Sequence, residues 1–128
     1  MMASEKPLSP HIQIYRWEIT MLVSILHRAA GVALAAGTVL LVWMLLALAS
    51  GEAAYECFHK FIAGPIGALL LFGWTGALFF HMGNGIRHLV MDTGRGYAIP
   101  AARRGALMVF VFAVAMTLLV WFVACPWQ

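Results

Sequence analysis

The chain has 128 residues, 63% hydrophobic and 10% charged, with a formal net charge of +3. Soluble domains average roughly 45–50% apolar and about 25% charged residues, which excludes an ordinary water-soluble enzyme. Asp, Glu, Lys and Arg are missing from 29–51, 61–86 and 105–128. Each stretch exceeds the roughly 20 residues that carry a helix across about 30 Å of hydrocarbon, and the remainder is too short for a soluble catalytic domain.

The predicted fold class is therefore all-α, a single membrane-anchor domain over 1–128 with a tail at 1–23 and three transmembrane helices at about 24–50, 61–88 and 104–126. Pro7 and Pro10 oppose a helix at the start of the tail, because proline removes a donor and biases its predecessor toward extended geometry. Tyr15 and Trp17 suit the headgroup level. The tail is neither the short apolar core of a signal peptide nor an arginine-rich, acid-poor transit peptide, so it is expected to be retained, as in a bacterial inner-membrane protein. The apolar pattern already running through 17–26 predicts that the first helix starts before Ala29.

In that helix Ser24, His27 and Arg28 stand at i, i+3 and i+4, one face, with Gly31 a turn further on. Arg28 alone reads as an anchor snorkelling to the headgroups; the trio together reads as a functional intramembrane group. Small residues at Gly31, Ala35 and Thr38, and at Gly64, Gly67, Gly73 and Gly76, mark surfaces for close helix packing. The connection at 52–60 is short, and Pro65 fits the first turn of the second helix.

The second helix carries His81, Asn84, Gly85, Arg87, His88 and Asp92. Six residues before Arg87, His81 falls about 9 Å inside the boundary. There it either bonds a neighbouring helix or ligates a metal. His88, a further two turns along, reaches the interface. Asp92 reads either as a proton relay or as an ion-pair partner of Arg95. Pro100 breaks the second connection. Cys57 and Cys125 show no CxxC or zinc spacing and are expected to pack as small residues.

Of the basic residues only Lys60 lies in the first connection; the rest occupy the tail and the second connection. The positive-inside rule then puts the N-terminus inside, and this placement at the ends of apolar stretches speaks for orientation in a lipid bilayer and against nucleic acid. With the N-terminus inside, both polar clusters meet at one leaflet. A b-type haem requires this combination, an imidazole iron ligand in the apolar layer and cations or donors for its propionates near the interface. His81 suits the first role, as ligand of the haem iron, and His27 with Arg28 the second. No other span histidine matches the depth of His81, so a second ligand would come from another chain. A quinone, whose carbonyl oxygens gain charge on reduction, needs a hydroxyl donor and a cation, which Ser24 and Arg28 offer. The competing reading is a non-redox scaffold or transporter subunit.

The run Pro7-Leu8-Ser9-Pro10-His11, the run from Ser24 to Gly31 (SILHRAAG) and the run from His81 to Asp92 (HMGNGIRHLVMD) together resemble the cytochrome b subunit of succinate dehydrogenase (Complex II) over essentially the whole chain. One departure is Ala30, where many members have Ser or Thr. The resemblance implies a larger anchor that packs with a second, smaller three-helix anchor subunit. Together the two hold a flavoprotein with FAD and an iron–sulfur subunit with its clusters at the inner face. It implies one haem b between the anchors, with His81 an axial ligand and His27 near the propionates, and ubiquinone reduced at Ser24 and Arg28. A fumarate reductase anchor shares this architecture.

Overall fold

The computed structural model describes residues 16–124. The proline-rich run at 7–11, Tyr15 and Cys125 lie outside the described residues. Four helices and no strand make up the described residues: α1 (Ile19–Ser50), α2 (Glu52–Ala63), α3 (Pro65–Asp92) and α4 (Ile99–Ala124). Helices α1, α3 and α4 are long and apolar enough to cross a membrane, and at 1.5 Å per residue even α4 reaches about 39 Å. Their outward faces are apolar, with Val32 72% and Leu69 71% exposed. Such surfaces are stable only against lipid or a partner protein.

Helix α1 begins at Ile19, where the carbonyl of Glu18 accepts from the amides of Met21 and Leu22. It ends at Gly51, whose φ of 104° is accessible to glycine and strained for any residue with a Cβ. The connection expected at 52–60 is itself a helix. In α2, Glu52, Glu56, His59 and Lys60 are exposed while Phe58 is buried, and Phe58 and Phe61 sit against Trp43 of α1 with ring centroids 5.1 and 5.2 Å away. Apolar residues recurring at a helical period make this a helix that lies against the bundle by one face. Cys57, expected to pack, is exposed on it.

Pro65 opens α3 at its first position, as its missing N–H permits. Gly67 then lets the start of α3 lie directly on the backbone of Phe61 and Ile62. Pro100, expected to break the second connection, instead sits in the first turn of α4, where proline ends the preceding loop without costing a hydrogen bond.

α3 is the central helix, packed on α1, α2 and α4. It runs antiparallel to α1: His81 meets His27 and Gly31, while Trp74, seven residues earlier, donates its indole N–H to the carbonyl of Leu34 at 3.3 Å. One core of Val23, Ala30, Phe80, Ala106, Val109 and Ala113 joins the three long helices. Ala30 is part of it, so the position that departs from the family pattern holds a residue whose methyl packs inside the bundle. At the same end Glu18 accepts two hydrogen bonds from the Arg103 guanidinium, 2.6 Å from Nη2 and 3.1 Å from Nε, tying the start of α1 to the start of α4.

Candidate functional site

The antiparallel pairing of α1 and α3 brings the two polar clusters to one end of the bundle. Helical spacing puts Ser24, His27, Arg28 and Gly31 on one side of α1, and His81, Asn84 and His88, at i, i+3 and i+7, on one side of α3. The imidazoles of His27 and His81 stack, with centroids 4.0 Å apart and planes inclined by 13°. The His88 ring lies 5.6 Å from that of His27 at a tilt of 54°, so His27 touches both histidines of α3.

His81 is oriented by its backbone neighbour. Its Nδ1 is 3.2 Å from the carbonyl oxygen of His27. A carbonyl can only accept, so Nδ1 carries a proton, and in the neutral imidazole the Nε2 lone pair is then left for another partner. Nε2 has no hydrogen bond among the described residues. A methyl group at Gly31 would approach Cε1 of His81 to 3.3 Å. The missing side chain of Gly31 therefore seats the ring between a glycine and a second imidazole. Nε2 of His27 is buried without a partner among the described residues, an arrangement that costs roughly 1–3 kcal/mol unless something accepts from it or donates to it.

Ser24 is partly buried and Arg28 exposed. Thr38, Ser50, Thr75 and Thr117 return their hydroxyls to carbonyls three or four residues back, whereas the Ser24 hydroxyl has no hydrogen bond among the described residues. Nor does Arg28 have an ion pair there; the ion pair formed is Arg103 with Glu18. Asp92 is exposed in the last turn of α3, without an ion pair to Arg95. Among the described residues no three His, Cys, Asp or Glu side chains are grouped to hold a bare metal ion.

Sequence reasoning passed over two residues of this end. Asn84 is fully buried; its Oδ1 accepts from Nη1 of Arg87 at 3.4 Å, while its Nδ2 has no partner among the described residues. His88, read as an unremarkable interfacial histidine, touches His27. Their common face with His81 was the available signal, since positions 81, 84 and 88 are one helical stripe.

Residues 2–120 match the family described as the succinate dehydrogenase/fumarate reductase transmembrane subunit. The chain belongs to this family. Among curated relatives it is 36% identical over 121 residues to the succinate dehydrogenase cytochrome b556 subunit of Paracoccus denitrificans, covering 92% of this chain and 93% of that one. It is 39% identical over 115 residues to the mitochondrial succinate dehydrogenase cytochrome b560 subunit of Sus scrofa, covering 88% of this chain and 68% of that one. The human b560 subunit is 40% identical over 115 residues, with 87% and 67% covered. Relatives of both bacterial and mitochondrial origin thus match most of the chain, and the chain shares the family's character as a transmembrane subunit.

Proposed function

We propose that this chain is the cytochrome b anchor subunit of a succinate:ubiquinone oxidoreductase in a bacterial inner membrane, with its N-terminus on the cytoplasmic side. It would bind one haem b jointly with a second three-helix anchor subunit and form part of the site where ubiquinone is reduced. FAD and the iron–sulfur clusters belong to the flavoprotein and iron–sulfur partner subunits, so this chain is not catalytic alone. The match to succinate dehydrogenase cytochrome b subunits supports this reading and favours it over a fumarate-reducing anchor.

The observation that carries the haem assignment is the seating of His81. Its Nδ1–H engages the His27 carbonyl and its Nε2 is left without a partner among the described residues, the arrangement in which a hydrogen bond at one ring nitrogen orients a metal-ligating histidine. His81 would ligate the iron, and the buried Nε2 of His27 and the unpaired guanidinium of Arg28 would hold the propionates by charge-assisted hydrogen bonds. Haem b supplies an electron-storing centre inside the apolar layer. Because His81 is the one iron ligand assigned on this chain, a further ligand would come from the partner anchor.

At the quinone, the free hydroxyl of Ser24 would donate to a carbonyl oxygen, and Arg28, one turn along the same face, would stabilise the negative charge that develops there. The quinone takes up a pair of electrons from the iron–sulfur subunit and a pair of protons from the inner aqueous phase to become the quinol. Asp92, exposed at the end of α3, would relay protons.

Two measurements on the purified complex test the reading. His81→Leu should remove or severely alter the haem absorption bands; an unchanged spectrum overturns the ligand assignment. Ser24→Ala and Arg28→Leu should lower succinate-to-quinone activity about 10²-fold or more while succinate oxidation by an artificial dye persists. Succinate-to-quinone activity unchanged in both variants overturns the quinone assignment, and equal loss of both activities points to failed assembly.

A further inference from the structure

A second feature of the same end of the bundle lies on the opposite side of α3 from the histidines. A cavity of about 540 Å³ runs between α3 and α4. Its walls are Ile86, Val90 and Met108, with Val109 and Phe112 behind them. Ile86 and Val90 are about half exposed and Met108 is 69% exposed, so the cavity is open along its length to the surroundings of the bundle. It exists because small residues line the helix crossing. Gly83 lies where a side chain would strike Phe112, and Gly105 lies against the Arg87 side chain, a built Cβ being 3.4 Å from its Nε.

The cavity is apolar except where Arg87 and Arg104 contribute to the lining. Among the described residues neither guanidinium is paired with a carboxylate: Arg87 donates one hydrogen bond to Asn84, and Nε of Arg104 donates to the Pro100 carbonyl at 3.3 Å. Most of the donor capacity of two permanent cations is left over. An apolar trough lined by two guanidiniums that have no carboxylate partner among the described residues fits an amphiphile with an anionic head and a hydrocarbon tail, and basic pockets between transmembrane helices at the positively charged leaflet are where acidic headgroups bind. Neutral quinone matches the trough but leaves the cations unanswered.

We propose that the α3–α4 groove is a binding site for an anionic membrane phospholipid, its phosphate held by Arg87 and Arg104 and one acyl chain lying along Ile86, Val90 and Met108. This site is separate from the haem and quinone assignments and does not depend on them.

The test uses the intact complex reconstituted in bilayers of equal parts dioleoylphosphatidylglycerol and dioleoylphosphatidylcholine, followed by native mass spectrometry of the lipid that remains bound. The wild type should retain phosphatidylglycerol in preference to phosphatidylcholine. Arg104→Gln should reduce that preference about fivefold, the value of one surface cation toward an anionic leaflet, and Met108→Trp, which fills the trough while keeping both arginines, should reduce the total lipid retained. Haem absorbance at wild-type level in both variants confirms that the bundle is intact. Equal retention of the two lipids by the wild type, or retention unchanged in both variants, overturns the proposal. So does release of quinone instead of phospholipid, or a wild-type complex that holds no lipid because a partner helix covers the groove.

Discussion

Gly31 shows how much of the candidate site rests on an atom that is missing. Its open position admits the edge of the His81 ring, and a Cβ would stand 3.3 Å from Cε1, a separation relieved by a shift of a few tenths of an ångström. Gly31→Ala should therefore keep its haem, with a displaced absorption maximum or midpoint potential, whereas Gly31→Val, which adds methyl groups where the ring must lie, should lose most of it. The haem-to-flavin ratio of the purified complex checks both. The spacing of Ser24, His27, Arg28 and His81 was readable from the chain because an apolar background makes ionisable residues conspicuous. The proton on Nδ1 of His81 and the burial of Asn84 were not. Both depend on which carbonyl and which helix stand opposite, and no local pattern carries that information.

Helix pairing is decided by similar close approaches. The indole of Trp74 lies over Gly37 so tightly that any Cβ there would overlap it, and the same indole donates to the Leu34 carbonyl. Gly37→Ala should break that hydrogen bond and push α1 from α3, costing about 1–3 kcal/mol as overpacking does. It would appear as a lower thermal midpoint of the complex with a changed tryptophan emission, and an unchanged midpoint would mean that Trp74 swings away freely. The three long helices were legible because freedom from charge over such lengths has few other meanings. α2 was not, since a dozen residues bearing Glu52, Glu56 and Lys60 look like a polar loop until Phe58 is seen to pack on Trp43. Pro100 misled for a related reason: proline both breaks helices and opens them, and its neighbours in sequence do not say which.

Taken whole, the described residues form a small bundle with its core at one end and long helices whose outer faces are largely apolar, a construction that requires lipid or a partner protein to be complete. The convergence of the two polar clusters was deducible from charge bias and the number of spans, as two crossings return the end of the second span to the side on which the first begins. What no count of crossings supplies is phase. His27 and His81 face one another only because the residues from Pro65 to His81 turn the imidazole toward α1. One residue inserted between Leu69 and Leu71 would rotate His81 by about 100° and advance it about 1.5 Å, unstacking the rings and directing Nε2 elsewhere, so haem absorbance should vanish. The same insertion among residues 93–98, downstream of both histidines and outside any helix, should leave the spectrum intact. The chain can thus drift in loop length after Asp92, but along α3 it is held to an unbroken count, and deletions or insertions there should be the rarest kind of survivor in a random indel library selected for growth on succinate.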